Sequence, residues 1–201
     1  MSVGRPSAPA HAPTPATTRT FASPAAWRAW LARNHGTSSG LWLRFFKKAT
    51  GRQVLSHAGA LEEALCWGWI DGQARPYDDS SWLQRYSPRR PRSKWSKRNC
   101  EIARQLIRDG RMQPAGRAQI VAAKADGRWD AAYDSPANAV VPDDFIKALR
   151  RHKGATAFFN TLNRTNRFAI AYRLQTAVKP ETRRRRFDQL VAMMKAGQRL
   201  H

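Results

Sequence analysis

The segment from Ala64 to Gly72 constrains the fold of this chain most strongly, because two tryptophans bracket a glycine and are followed directly by an acid and a second glycine. The two glycines permit positive φ angles or a close approach of the backbone. Trp67 and Trp69 supply a large apolar area, and each carries an indole N–H that needs a partner when it is buried. The pattern predicts a buried helix that turns sharply into a strand, with Asp71 held at the corner.

The periodicity of apolar residues around this corner predicts a small sheet with helices packed on it. Leu41 to Lys48 alternates as a strand does, and the runs Trp69 to Tyr77 and Trp82 to Tyr86 are typical of a hairpin. Capping signals predict helices that begin at Ser23 and at Ser56. The expected fold class is α+β: a small antiparallel sheet of about three strands with packed helices, followed by a helical C-terminal module.

Composition divides the chain into three parts. Residues 1–20 hold prolines among alanine, serine and threonine, and they are predicted to be a disordered tail because they bury too little apolar area to offset the entropy of ordering. An α+β core module is predicted for residues 21–132. Near residue 140 the sequence changes to arginine-rich helical segments, which predicts a helical C-terminal module at residues 142–201.

The charge balance is strongly basic, with 36 Lys and Arg residues against 14 Asp and Glu and a net charge of +22. A chain of this charge attracts anionic partners, such as nucleic acid, an anionic lipid surface or an acidic protein face. A compositional bias toward arginine and alanine is the alternative explanation, and the sequence leaves it open.

The segment from Arg85 to Asn99 is the predicted anion-binding site, because it contains basic residues and no acid. A helix capped by Ser93 or Ser96 would add backbone N–H groups and the positive end of its dipole. Tyr86 and Trp95 are placed to stack on bases. The alternative is that the arginines pair with nearby aspartates while Trp95 packs in the core. The predicted anion-binding residues are Arg85, Arg89, Arg90, Arg92, Lys94, Ser96, Lys97 and Arg98.

The corner is the second candidate site, and Asp71 is its strongest candidate for a chemically active carboxylate. The alternative role for Asp71 is to cap the corner and to pair with an arginine of the basic segment. The predicted pocket residues are Trp67, Trp69, Asp71, Trp95 and Asn99.

Residues 183–186 form a second basic run, at the start of the last predicted helix. Positive charge at a helix N-terminus opposes the helix dipole. We expect Glu181 and Asp188 to neutralise part of this charge, and an anionic partner is the functional interpretation of the remainder.

Signatures of catalysis and metal binding are missing from the sequence. His35, His57 and His152 are scattered, and no HExxH, GxSxG, GxGxxG or GxxxxGK[ST] pattern occurs. Cys66 and Cys100 lie far apart and are expected to be reduced and buried. We therefore predict no catalytic residue, no metal and no cofactor, and enzymatic activity is not supported. No apolar run reaches about 18 residues and no secretory signal is visible, so a cytoplasmic location is expected.

Several blocks of sequence occur in an order that points to one family. They are Trp27-Arg28-Ala29-Trp30-Leu31, Gly40-Leu41-Trp42-Leu43, Lys47-Lys48, the corner from Ala64 to Gly72, Tyr86-Ser87-Pro88-Arg89-Arg90, Ser93-Lys94-Trp95-Ser96, Asn99, Gly110-Arg111-Met112, Ala115-Gly116 and Ala123-Lys124-Ala125-Asp126-Gly127-Arg128-Trp129. With these blocks the chain resembles the YdeI/OmpD-associated family, the bacteriocin-protection proteins. The resemblance implies a bacterial protein linked to protection against bacteriocins or cationic antimicrobial peptides and to an outer-membrane porin. It implies no agreed reaction and no site residues.

Three functions follow from these observations. The first is a non-enzymatic cytoplasmic binding protein of the envelope-stress type that engages an anionic partner; a chain of charge +22 repels cationic peptides, so direct sequestration is not expected. The second is nucleic-acid binding through residues 85–99. The third is an uncharacterised enzyme that uses Asp71 in a tryptophan-lined pocket.

Overall fold

The computed structural model describes residues 18–52 and 54–200. Contacts divide the chain into two compact units between Arg89 and Arg90, which we call the N-terminal unit and the C-terminal unit. The first contains the sheet and the second is helical, so the predicted α+β class is confirmed. The module boundary predicted near residue 140 stays a prediction.

The N-terminal unit has a four-stranded sheet in its described part, with strand order β1-β2-β4-β3. Strand β4 pairs antiparallel with both β2 and β3, as the sequence predicts. The elements are β1 (Thr18–Arg19), α1 (Pro24–Asn34), β2 (Leu41–Phe46), a 3-10 helix (Lys48–Thr50), α2 (His57–Cys66), β3 (Trp69–Asp78) and β4 (Ser81–Pro88).

The short strand β1 differs from the prediction. Thr18 and Arg19 pair in parallel with Trp42 and Leu43, although both fall in the predicted disordered tail, whose residues 1–17 lie outside the described residues. The edge of a sheet presents unpaired N–H and C=O groups that a neighbouring segment can satisfy. Thr18 and Arg19 pair with the edge of β2 in this way. The sheet therefore has a fourth strand, which is parallel to its neighbour, where three antiparallel strands were predicted.

The core of the N-terminal unit lies between the sheet and helices α1 and α2. Leu41, Leu43 and Phe45 alternate along β2 and enter this core together with Trp27 of α1. Helix α1 begins where predicted, because the Ser23 hydroxyl accepts a hydrogen bond from the backbone of the first turn.

The predicted turn from helix to strand is confirmed at the corner. Helix α2 ends at Cys66, and Gly68 has a φ of 74°, a left-handed conformation that favours glycine. The Gly68 carbonyl accepts a hydrogen bond of 2.9 Å from the backbone N–H of Arg89. The Trp69 indole N–H donates to the His35 carbonyl at 3.1 Å. The first bond holds the end of β4 to the corner, and the second joins the corner to the end of α1.

The turn between β3 and β4 is organised by Asp78. Its carboxylate accepts hydrogen bonds from the hydroxyls of Ser81 and Ser80 and from the backbone N–H of Ser80, and it lies 2.5 Å from the Arg44 guanidinium. These hydrogen bonds, with the arginine charge adding to them, lower the pKa of Asp78 from 3.8 to about 2.

We expect Asp78 to make stability depend on pH in an acidic window. Because its pKa is lowered in the folded chain, its contribution is complete above about pH 4 and is lost as the pH falls toward 2. Asp78→Asn should therefore flatten the fall in the free energy of unfolding across this window, measured by urea denaturation at pH 5, 3.5 and 2.5. Asp79→Asn, a change at the exposed neighbouring residue, is the control, and an equal flattening in both variants would contradict the assignment.

The C-terminal unit consists of six described helices. They are α3 (Lys97–Arg108), α4 (Pro114–Ala125), α5 (Asp143–Arg150), α6 (Lys153–Asn160), α7 (Arg164–Gln175) and α8 (Pro180–Lys195). Of the two predicted caps for α3, Ser96 is the one used: its hydroxyl accepts from the Asn99 N–H at 3.1 Å. A core of Phe145, Leu149, Ile170, Leu174, Leu190 and Met194, with their neighbours, is shared by the last four helices.

Each unit contains one buried cysteine. Cys66 is 2% exposed in the N-terminal unit and Cys100 is 1% exposed in the C-terminal unit. The two are not joined by a disulfide, which confirms the expectation of reduced, buried thiols.

Candidate functional site

The boundary between the two units divides the predicted basic segment. Arg85 and Arg89 belong to the N-terminal unit. The Arg85 guanidinium lies over the Trp42 ring, 5.9 Å from its centroid, and donates to the Ser39 carbonyl at 3.3 Å. Arg89 is only 5% exposed. Arg85 therefore contributes to the structure of its own unit, and Arg89 is largely withdrawn from solvent.

The rest of the segment leads into α3 and has a more open setting. Arg90, Arg92, Lys94, Lys97 and Arg98 are exposed. The Lys97 ammonium forms an ion pair of 2.9 Å with Asp134. The exposed members are therefore the ones that can meet an anion, and Lys94 among them reaches the cleft described below.

The aromatic residues of the segment are not available to bases. Tyr86 is 0% exposed and Trp95 is 2% exposed. Trp95 packs against Trp129 with 4.9 Å between the ring centroids. The expectation that Tyr86 and Trp95 stack on nucleic acid is therefore wrong. Burial of these large aromatic side chains lowers the free energy of the folded chain, because it removes their apolar surface from water. Asn99 is half-buried in the first turn of α3.

At the corner, Asp71 has a histidine partner. Its carboxylate lies 3.6 Å from Nε2 of His57, and 28% of the Asp71 side chain is exposed. The expected arginine tether is therefore replaced by His57. Burial, with the negative charge of Asp71 as a second cause, raises the pKa of Tyr86. The Trp67 ring lies 4.6 Å from that of His35. The corner thus fixes the turn through ring packing and one contact between a carboxylate and an imidazole.

The C-terminal unit contains a further candidate site, which we call the basic cleft. It is an open groove of about 650 Å³ between α7 and α8, and Lys94 closes one side of it. Its volume falls in the range of small-molecule sites, about 300–1,000 Å³. The lining residues are Lys94, Thr165, Phe168, Ala169, Tyr172, Arg173, Arg185, Arg186 and Gln189.

Helical spacing brings these side chains together. Thr165, Phe168 and Tyr172 recur at intervals of three and four residues along α7, so they share one face of that helix. Arg185 and Gln189 are four residues apart on α8 and face them. The cleft is therefore the seam between these two helices, lined by polar and aromatic side chains.

The charge in the basic cleft is entirely positive. Four cationic residues and no carboxylate line it. One of them is held by hydrogen bonds: Arg186 donates to the Arg173 carbonyl at 2.8 Å and to the Thr176 hydroxyl at 3.4 Å. Within the described ranges, the guanidinium groups of Arg173 and Arg185 make no hydrogen bond or ion pair. These two groups are therefore ready to bind an anion.

Aromatic rings form the apolar part of the basic cleft. The Lys94 ammonium lies 4.3 Å from the centroid of the Tyr172 ring, a cation–π distance. Tyr172 also packs edge-on against Tyr133 at 4.8 Å and lies 5.8 Å from Phe168. The arrangement places positive charge beside aromatic surface, which suits an anion that carries a planar ring.

Two of the four arginines in the second basic run form ion pairs with acidic residues. Arg184 pairs with Asp188 at 3.0 Å, as expected, whereas Arg183 pairs with Asp144 of α5 at 2.7 Å. Arg185 and Arg186 face the basic cleft. The run therefore separates into two structural and two cleft residues.

Sequence reasoning identified Lys94 and the basic run but missed Phe168, Tyr172 and Arg173. The two aromatic residues are four positions apart on α7, a spacing that is typical of the buried face of a helix. The useful signal is that Arg173 directly follows Tyr172, so one edge of that face is charged.

Residues 18–52 and 54–200 contain neither a metal-ion cluster nor a membrane-spanning helix. No group of three or more histidine, cysteine or acidic residues in these ranges is arranged to hold a metal ion. None of the helices described there combines the length and apolarity needed to cross a membrane.

Comparison with known protein families gives two matches. Residues 138–197 match the family described as Bacteriocin-protection, YdeI or OmpD-Associated (OmdA), which confirms the resemblance for α5 to α8. The match is narrower than the resemblance implied, since the blocks at residues 27–129 lie outside it. Residues 19–119, just over half of the chain, match Domain of unknown function (DUF8412). The comparisons with curated proteins and with solved structures gave no match. The chain therefore belongs to the DUF8412 family and carries a partial OmdA match in its last four helices.

Proposed function

We propose that this protein is a binding protein that engages an anionic partner through the basic cleft. The observation that carries the proposal is the pair of guanidinium groups, Arg173 and Arg185, that meet no acid among the described residues in a cleft lined by four cations. Each guanidinium offers a planar fork of donors that matches carboxylate and phosphate oxygens.

The charge of the whole chain supports this assignment. A net charge of +22 attracts anions from a distance and raises the rate of association at low ionic strength. Helices α7 and α8, which form the cleft, lie within the segment that matches the OmdA family. The proposed function therefore resides in the part of the chain with that similarity.

The OmdA description names bacteriocin protection, and the charge bears on how such a role works in this chain. Like charges repel, so we propose that any protection proceeds through the anionic partner and not by capture of a cationic peptide. The partner belongs to the phosphate- or carboxylate-bearing class.

Arg185→Glu tests the function directly. Binding of labelled inorganic polyphosphate, followed by fluorescence anisotropy at low salt, should weaken at least tenfold, since one charge-assisted contact contributes about 1.5–3 kcal/mol and about 1.4 kcal/mol is tenfold. The affinity of the unaltered chain should fall steeply with added salt.

Arg117→Glu is the matched control. Arg117 is an exposed residue of α4 and lies outside the basic cleft, so the variant has the same net charge as Arg185→Glu. Equal losses in both variants would show that only net charge matters, and no binding of polyphosphate by the unaltered chain would contradict the proposed function.

A further inference from the structure

We propose that the basic cleft binds single-stranded nucleic acid, with bases stacked on Phe168 and Tyr172 and phosphates on the arginines. The inference rests on the proposed function, because it names the class of anion that occupies the same site.

A second cleft extends the first in one direction. It has a volume of about 270 Å³, and Phe168 lines both clefts. Arg164 and Arg167 line the second cleft, at the start of α7, whereas Arg173 lies in the first, near the end of that helix. At a rise of about 1.5 Å per residue, the arginines span ~13 Å along the helix. Because Arg164 and Arg173 are nine residues apart, they also lie about half a turn apart around α7, so the cations flank Phe168 in two adjoining clefts. Cations spread in this way suit a polyanion with several phosphates better than they suit a single small anion.

The arginines of the second cleft are held in place by backbone carbonyls. Arg164 donates to the carbonyls of Pro136 and Ala137 at 3.0 and 2.8 Å. Arg167 donates to those of Leu162 and Asn160 at 3.1 and 3.0 Å. A guanidinium has five N–H donors, so two bonds leave further donors for a phosphate, and the fixed side chains lose little entropy on binding.

Phe168 lies where the two clefts meet, and it is partly exposed. Tyr172 follows one helical turn later, with the Lys94 ammonium beside its ring. Alternation of ring and cation along a groove is the arrangement that single-strand binding surfaces use, because every base has a face that can stack.

The geometry favours a single strand over a duplex. The bases of a duplex are stacked on one another and reach a recessed side chain only after they leave the stack, at a cost in free energy. The rings of the basic cleft lie between two helices. Unpaired bases can enter such a seam, whereas a duplex meets only the rim charges.

The test compares two oligomers of equal charge: labelled ten-residue oligothymidylate and a ten-residue abasic analogue with the same phosphates. The protein should bind oligothymidylate more tightly. Phe168→Leu should weaken that binding about tenfold, from the loss of one stacked base, and leave the affinity for the abasic oligomer unchanged. Phe158→Leu is the matched control, because Phe158 is a partly buried residue of α6 outside both clefts.

Arg185→Glu separates this inference from the proposed function. It should weaken binding of both oligomers and of polyphosphate. Equal affinity for the two oligomers, or tighter binding to anionic phosphatidylglycerol vesicles than to oligothymidylate, would overturn the single-strand assignment and leave anion binding intact. Failure to bind polyphosphate as well would overturn both.

A measurement on the unaltered protein covers the case in which Phe168→Leu fails to fold. Oligomers that carry 5-iodouracil, irradiated in the complex, should cross-link at Phe168 or Tyr172, with the adducts mapped by mass spectrometry. Adducts found only outside the two clefts would overturn the proposal.

Discussion

Trp27→Ala is expected to lower the free energy of unfolding by about 3–5 kcal/mol, the range for the loss of a large aromatic side chain from a core. Trp27 is fully buried and lies at the centre of the aromatic core of the N-terminal unit. Its ring stacks on Trp30 at 5.2 Å and meets Trp69 and Tyr86 edge-on. Alanine would remove all of these contacts and leave a cavity that rigid neighbouring rings cannot fill.

The Trp27 indole also contributes a hydrogen bond. Its N–H donates to the Ala60 carbonyl at 3.1 Å and joins α1 to α2. Trp27→Phe keeps much of the ring and loses the donor, so it should cost less than half as much as Trp27→Ala. Urea denaturation followed by far-UV circular dichroism measures both, and a cost below about 1 kcal/mol for Trp27→Ala would contradict a central packing role, given the core values cited.

Phe145→Ala is expected to have an effect of the same size in the C-terminal unit, about 3–5 kcal/mol. Phe145 is fully buried, with 0% of its surface accessible to water. It packs edge-on against Phe187 of α8 at 5.5 Å and lies 6.4 Å from Phe159 of α6. Its removal would loosen the helices on both sides of α5.

Phe187→Ala provides the comparison for Phe145→Ala. Phe187 is only partly buried against the same core, so its truncation should cost clearly less in the same denaturation measurement. An equal loss of unfolding free energy in the two variants would contradict the expectation that the more deeply buried ring contributes more to the stability of this core. Because α8 carries Arg185 and Arg186, Phe145→Ala should also weaken polyphosphate binding at urea concentrations where this unit begins to unfold.

The sequence was sufficient for much of the N-terminal unit, because its signals are local. Alternation along Leu41 to Phe46 predicts a strand, and the serine caps at Ser23 and Ser56 predict helix starts, each from a few adjacent residues. The strand Thr18–Arg19 could not be found in this way. Two residues have no periodicity, and their pairing depends on a sheet edge that forms elsewhere in the chain.

The candidate site was harder to predict, because it depends on which side of an element faces water. Tyr86 and Trp95 stand among arginines in sequence, yet both rings are buried. Phe168 and Tyr172 have the spacing of a core stripe, yet they line a cleft. Residue type and spacing do not distinguish an inward face from the margin of a groove. Only the packing of α7 against α8 makes that distinction.

Because each unit contains one buried cysteine, the reactivity of the two thiols measures local opening of each unit separately. A thiol reagent in native buffer reaches Cys66 only when the N-terminal unit opens and Cys100 only when the C-terminal unit opens, since both side chains are almost wholly inaccessible. Peptide mapping of the labelled chain therefore gives two separate opening rates from one sample. If a bound anion slows the reaction of Cys100 and leaves that of Cys66 unchanged, the difference reports that the cleft of the C-terminal unit is occupied.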